Sequence, residues 1–242
     1  MTLLVLMYHR GRADRHGNPL DVLDAHFAHV AISCRNVLPG EPLAADALNV
    51  CLSFDDGYFD FYANVFPLLK KHSLRALLAI PPSLIRERVD AQPADRIAIE
   101  TPEAFAHPSR GGFCTWPELE EMAQSDHVAI AAHGYTHQRL DRPDADLDTE
   151  IAVPQIVLGS RFQKKVESFA FPFGRCSFHA IRNASTSYQY LFRIGGATNS
   201  GWRQRLLYRV DADRMATPKS LFEPAQMARY RCRYFWNRLR YR

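Results

Sequence analysis

The chain has 242 residues, 47% apolar and 23% charged, with a formal net charge of +4. Those proportions exclude a disordered or collagen-like chain and suit one large domain or two small ones. No run of 18 apolar residues occurs, so no ordinary membrane-spanning helix is expected.

Charge and cysteine placement narrow the classes further. Residues 228–242 hold six arginines and no acid, so the rest of the chain carries a net −2. A general nucleic-acid-binding surface is therefore not expected. Cys34, Cys51, Cys114, Cys176 and Cys232 are dispersed, with no Cys-x-x-Cys pair. That pattern fits reduced thiols and argues against a cysteine zinc site.

In chain order, residues 1–10 are apolar but lack a basic start and a small-residue cleavage site. They are expected to form a first strand and not a secretory signal, which places the protein in the cytoplasm. Further strands are expected at 50–54, 76–80, 128–133, 168–173, 190–195 and 208–211, all apolar nearly throughout, as strands buried on both faces are. Helices are expected between them at 59–71, 116–124, 147–165 and 178–185. Strand–helix alternation implies a parallel sheet with right-handed crossovers. About seven strands suit an α/β fold of the deformed, incomplete (β/α) barrel type, TIM-barrel-like. A doubly wound open sheet is the alternative, though no Gly-x-Gly-x-x-Gly follows the first strand. Segment 81–112, rich in Pro, Arg, Asp and Ala, reads as a long irregular loop of the lid kind. Residues 1–222 would form the barrel, and 223–242 an appended basic, aromatic helix with Pro224 in its first turn.

Three strand ends collect polar residues. Asp55 and Asp56 stand side by side before Gly57. Two adjacent carboxylates are costly unless something positive neutralises them, although an Asp-Gly turn alone would explain the dipeptide. His133 and His137 are four apart, which on a turn of helix puts both rings on one side, close enough to share a metal. About 0.4 such pairs are expected by chance among ten histidines, so the pair is weak alone. One Asp and two His together make a three-ligand set of the catalytic zinc kind, with a second carboxylate left over as a base. The third strand end, residues 169–174, offers an apolar wall and a glycine-supported turn whose N–H groups suit an oxyanion.

These residues carry a resemblance. Ser53-Phe54-Asp55-Asp56-Gly57, His133 to His137 and Phe169-Ala170-Phe171-Pro172-Phe173-Gly174 resemble, in order and spacing, the three motifs of polysaccharide deacetylases with the NodB homology domain (carbohydrate esterase family four), in the Phe-Ala-Tyr-Pro-Phe-Gly version of the third. Residues 6–10, 67–71 and 115–116 also resemble family landmarks, and the likeness spans about residues 3–215. It implies Asp55 as catalytic base and Asp56, His133 and His137 as ligands of one divalent metal, commonly zinc, with cobalt or nickel as alternatives. It also implies hydrolysis of an N-acetyl group on an amino sugar.

The sequence departs from the family in three places. Gly134 stands where Ser or Thr is usual, Ala170 stands where many members have the arginine that orients the base, and no Leu-x-His follows near the C-terminus. His9 is therefore the candidate general acid, with a locally bonded strand-end histidine as its alternative. His72, His107 and His127 read as surface histidines. Tyr58, Trp116, Pro172, Phe173 and Gly174 are candidate substrate-binding residues, the aromatic ones serving equally well as core. With a cytoplasmic location the resemblance favours a nucleotide-linked or lipid-linked amino-sugar precursor, as in lipopolysaccharide O-antigen synthesis. Two rivals stay open: another C–N hydrolase acting on a cyclic amide or formamide, and a non-catalytic sugar-binding protein. The arginine-rich tail, in which Met227, Tyr230 and Tyr234 share a helical face, suits peripheral contact with an anionic inner membrane. Packing of that helix on the barrel is the alternative.

Overall fold

The computed structural model describes residues 1–240. Eight strands are present: β1 (Thr2–Tyr8), β2 (Arg35–Asn36), β3 (Leu48–Phe54), β4 (Ala76–Ile80), β5 (Val128–Ala132), β6 (Ser168–Ala170), β7 (Tyr190–Ile194) and β8 (Leu207–Asp211). The helices are α1 (Leu20–Ser33), α2 (Phe66–Lys71), α3 (Pro93–Ala98), α4 (Thr101–Ala106), α5 (Trp116–Gln124), α6 (Val153–Phe162), α7 (Phe178–Ser187), α8 (Pro218–Phe222) and α9 (Pro224–Arg240).

All strand pairings are parallel, and β1 pairs with both β8 and β3, which closes seven strands into a ring. β2 lies outside the ring on β3. The ring has one strand fewer than an eight-stranded barrel, and its β5–β6 seam is registered through Ala132 and Phe169 alone. This is the deformed barrel the apolar runs imply. The β1–β3 closure rules out the open sheet.

Strand periodicity decides what enters the barrel. Leu4, Leu6, Tyr8, Val50, Leu52 and Phe54 pack in the outer core with the helices. Leu3, Val5, Cys51, Leu77, Ala79, Ala131, Ala170 and Leu207 form a second, inner cluster. Continuing the inner parity toward the strand C-termini brings Ser53, Asp55, His133 and Arg209 inside. All four are almost wholly buried.

Several boundaries differ from expectation. The helices expected at 59–71 and 147–165 begin as wide π-type turns, Phe61–Val65 and Asp148–Ala152, before α2 and α6. Each wide turn precedes a proline, Pro67 or Pro154, which has no N–H to donate and crowds the carbonyl four residues back. α1 has no counterpart among the expected helices, because its buried stripe of Leu23, Phe27 and Val30 includes the polar His26.

Segment 81–112 is not an irregular loop. It contains α3 and α4, each with proline in its first turn. Arg96 pins it: the buried guanidinium donates to the Gly111 and Phe113 carbonyls, pairs with both oxygens of Glu118, and lies 3.5 Å from the Phe59 ring centre. The segment is a fixed wall over one side of the barrel mouth.

Candidate active site

Asp55 follows β3, and its N–H donates to the Tyr8 carbonyl at 2.9 Å, which extends the β1–β3 ladder by one step. The chain then turns sharply. Asp56 (φ 73) and Gly57 (φ 70) are both left-handed. A left-handed non-glycine costs on the order of 1 kcal/mol or more and persists only where its surroundings dictate it. Here the turn carries the Asp56 carboxylate toward the histidines.

His133 follows β5 and donates its N–H to the Ile80 carbonyl at 3.0 Å. Residues 133–137 are not helical, so the reason for their convergence is not the one the spacing implies. Gly134 (φ 71) and His137 (φ 63) bend the loop back on itself. Glu150, almost wholly buried, ties the loop down by accepting from the N–H groups of Tyr135 (3.0 Å) and Thr136 (3.1 Å) and from the Thr136 hydroxyl. A Cβ at position 134 would lie 2.7 Å from Glu150 Oε2. Glycine in place of the usual Ser or Thr thus follows from the close approach of this carboxylate.

The two imidazoles and Asp56 come together. Asp56 Oδ1 lies 3.4 Å from His133 Nε2 and 3.2 Å from His137 Nε2, and the three ligand atoms lie within 4.8 Å of one another. His133 Nδ1 sits 2.8 Å from the Ala170 carbonyl, which can only accept, so Nδ1 carries the proton and Nε2 is a bare lone pair in the neutral ring. Burial pushes His137 down to about 4, against the pull of the Asp56 charge, which leaves its ring neutral near pH 7. Asp56 Oδ1 is buried with no hydrogen-bond partner. A buried carboxylate oxygen without a donor, facing the bare nitrogen of His133, is unfavourable unless a cation lies between them. The donor set therefore fits a divalent metal of the N/O-binding kind.

Asp55 points elsewhere. Arg209 of β8 holds it through two parallel bonds, Nη1 to Oδ1 at 2.6 Å and Nη2 to Oδ2 at 2.8 Å. Burial raises the Asp55 pKa, but the Arg209 charge wins and keeps it lowered. Asp55 Oδ2 lies 3.7 Å from His133 Nε2 and 3.9 Å from His9 Nε2. It thus faces the space between the metal ligands and His9.

His9 stands just past β1. Its Nδ1 is 2.5 Å from Asp213 Oδ2, and its backbone N–H donates to Asp213 Oδ1 at 3.2 Å. The ring is thereby oriented with Nε2 toward Asp55. Burial lowers the His9 pKa, but the hydrogen bond and charge of Asp213 dominate and bring it to about 10.

The substrate-facing set is smaller than expected. Tyr58 is buried: its ring stacks on Phe113 at 5.2 Å, Arg10 lies over it, and its hydroxyl meets Thr101 Oγ1 at 3.4 Å. Trp116 is buried too, as the first residue of α5, against Phe162 and beneath Arg161. Neither ring has a free face, because the helices and segment 81–112 cover both. Pro172 and Gly174 are buried supports of the turn. Phe173 alone is open, at 54% exposure, with its ring 4.6 Å from His137 and its backbone left-handed (φ 57).

Four residues of the site escaped sequence reasoning. Arg209 supplies the arginine absent at Ala170, and it does so from a different strand. Its signal was a charge at the inward position of the buried strand β8. Asp213 lies two residues past that strand. Glu150 stands out only as an acid next to an apolar stretch. Phe105 of α4 stacks on His137 at 4.8 Å, which makes segment 81–112 one wall of the site.

Comparison with known proteins agrees with this geometry. The curated poly-β-1,6-N-acetyl-D-glucosamine N-deacetylase of Escherichia coli K12 is 35% identical over 94 residues, 39% of this chain and 12% of that relative. The matched stretch is a small part of the longer protein. Among solved structures, the Streptococcus pyogenes deacetylase PplD, in complex with acetate, superposes with a TM-score of 0.71 at 20% identity, covering 91% of this chain and 96% of that one. IcaB from Ammonifex degensii gives 0.73 at 19% identity, covering 95% and 96%. Both share the fold. The sequence model for polysaccharide deacetylases matches residues 44–192, from the approach to β3 into β7, and the chain belongs to that family.

Proposed function

We propose that the protein is a metal-dependent hydrolase that removes the N-acetyl group from an amino sugar of a surface polysaccharide or its precursor. One observation carries this reading: the Arg209-clamped carboxylate of Asp55 lies between the three-ligand cluster and the Asp213-bound His9. A base, a cation site and an acid meet there within one water's reach of each other.

Asp56, His133 and His137 would hold the metal, zinc first, with cobalt or nickel as alternatives. When bound, it supplies Lewis-acid polarisation of the amide carbonyl and of the attacking water. Asp55, kept anionic and oriented by Arg209, accepts the proton from that water. His9, kept protonated by Asp213, gives a proton to the leaving nitrogen, so the amine departs as the carbon–nitrogen bond breaks. The backbone N–H of Phe173, on its strained turn, donates to the developing oxyanion. The Phe173 and Phe105 rings confine the acyl and sugar groups beside His137.

Two departures motivate a non-catalytic reading, the lack of an arginine at position 170 and of a C-terminal Leu-x-His; Arg209 supports an answer to the first and His9 to the second. The E. coli relative's name puts β-1,6-linked N-acetylglucosamine oligomers first among substrates to try. Nucleotide-linked and lipid-linked N-acetylamino sugars, made in the cytoplasm for an O-antigen, come next.

Acetate release from these three substrate classes is the test. Turnover that disappears on chelation and returns with zinc is expected on at least one. Turnover of a cyclic amide or formamide alone would move the protein to the rival hydrolase class. Inactivity on all of them by zinc-loaded protein would overturn the reading.

A further inference from the structure

Helix α9 has two apolar faces, and the barrel covers only one. Met227, Tyr230 and Tyr234 face inward. The Asn237 side chain donates to the Gly195 carbonyl at 2.9 Å, and Thr198 N–H donates to the Tyr230 carbonyl at 3.3 Å. These contacts fasten the helix along the β7–β8 connection. The face the sequence pattern singles out is thus the packed one.

The opposite face is a second stripe. Cys232, Phe235, Trp236 and Leu239 stand at i, i+3, i+4 and i+7 and share one side. Cys232 is exposed, and Phe235, Trp236 and Leu239 are 65%, 71% and 65% exposed. Phe235, Trp236 and Leu239 are three of the nine large apolar side chains exposed among the described residues, gathered on two turns of one helix. Packing against the barrel explains none of them.

Arginines border this stripe on both flanks. On a helical projection Arg231 and Arg238 fall on one side of it, and Arg229 and Arg233 on the other. Among the described residues none of these four guanidinium groups is ion-paired to a carboxylate. The net −2 body therefore does not consume the tail's charge. An aromatic and aliphatic face edged by long cationic side chains is the arrangement of an interfacial helix. The rings enter the acyl boundary while the guanidinium groups reach back to headgroup phosphates.

We propose that the outer face of α9 docks the protein on an anionic phospholipid surface, with the helix lying in the interface plane and the barrel on the water side. Charge complementarity selects this occupant. A second copy of the chain would bring the same four cations against themselves, and nothing acidic on α9 offsets them.

The three tryptophans make the test direct, because Trp116 and Trp202 are 6% and 9% exposed while Trp236 is open. Full-length protein is mixed with phosphatidylcholine vesicles containing about a third phosphatidylglycerol, then with phosphatidylcholine alone, at low and high salt. Co-sedimentation and a blue-shifted emission are expected with the anionic vesicles at low salt, weakened by salt and absent with phosphatidylcholine alone. Trp236→Phe should keep binding and lose the shift. Phe235→Ser/Trp236→Ser/Leu239→Ser and Arg229→Gln/Arg231→Gln, both on exposed positions and checked for folding by circular dichroism, should each weaken binding about tenfold or more.

Protein that stays in the supernatant at low salt overturns the proposal. So does vesicle binding that survives both sets of substitutions. Self-association abolished by the serine variant, without vesicle binding, reassigns the face to contact between copies. Salt-sensitive binding to RNA alone reassigns it to nucleic acid.

Discussion

Arg209 reaches across β1 to hold Asp55, just past the end of the second strand over in the ring, by two bonds of 2.6 and 2.8 Å. Both groups are almost wholly buried, so the pair works where a lone charge is expensive. The clamp fixes the carboxylate plane and keeps it ionised. Arg209→Lys keeps a charge but loses the fork. Its kcat should fall about 100-fold with metal content unchanged. Arg209→Met leaves Asp55 buried and unpaired, and should cost about 3–5 kcal/mol in urea unfolding. A Lys variant with undiminished kcat would remove Arg209 from the base's activation.

The two adjacent aspartates should separate cleanly in their effects. In the proposed roles, Asp55→Asn removes the base and leaves the three donor atoms in place, so turnover should vanish while the metal stays bound. Asp56→Asn and His133→Ala remove proposed ligands and should lose metal on dialysis. Elemental analysis beside acetate release decides the matter. Metal retained in Asp56→Asn and lost in Asp55→Asn would show the roles reversed. Because an unfolded chain has no such site, zinc at about 100 times its Kd should raise wild-type stability by about 2.7 kcal/mol and leave His133→Ala unmoved.

His9 owes its raised pKa, about 10, to Asp213. A general acid must be protonated, so activity is available below that value and lost as pH rises through it. Asp213→Asn leaves burial as the dominant influence, which lowers the pKa. The basic limb of the pH–rate profile should therefore move acidward, from about 10 toward or below the ordinary 6.5. A bound dication lowers the starting value without changing the sign of this shift. The linked stability follows the same direction. A folded pKa above the unfolded one stabilises fully below about pH 6.5 and is lost as pH rises through about 10. Asp213→Asn should flatten that dependence. An unmoved basic limb, or near-normal kcat for His9→Ala at every pH, would take the acid role from His9.

Much of this site was legible because strand ends in a parallel barrel share one face. Apolar runs ending in Asp55 and His133 identify two contributors directly. Arg209 was harder to see because its strand is short and its meaning lies in parity. Only once Leu207 is known to face inward does position 209 become a buried charge. Tyr58 and Trp116 misled for a related reason. An aromatic residue next to a motif suits a sugar or a core equally, and the burial that decides depends on α3, α4 and α5, not on local sequence. The convergence of His133 and His137 was right and its mechanism was not. The histidines meet through two left-handed residues and a carboxylate thirteen residues beyond His137, none of which spacing encodes.

That carboxylate yields the last prediction. Gly134 occupies φ 71, and a Cβ there would sit 2.7 Å from Glu150 Oε2, an atom fixed by the Tyr135 and Thr136 N–H groups. Gly134→Ser should lose about 1–2 kcal/mol from backbone strain and displacement of Glu150. It should also weaken metal binding, because the loop carries both histidines. Glu150→Ala unties the loop with nothing in its way. It leaves the Tyr135 and Thr136 N–H groups without their acceptor, at about 1 kcal/mol each or less where water replaces it. The two positions share one contact, so the double variant should be less impaired than the sum of the singles, by about 0.5 kcal/mol or more. Zinc titration by calorimetry and urea unfolding of the four proteins measure both quantities. Strict additivity would mean that the carboxylate and the glycine are independent, and that the Gly134 position answers to its backbone conformation alone.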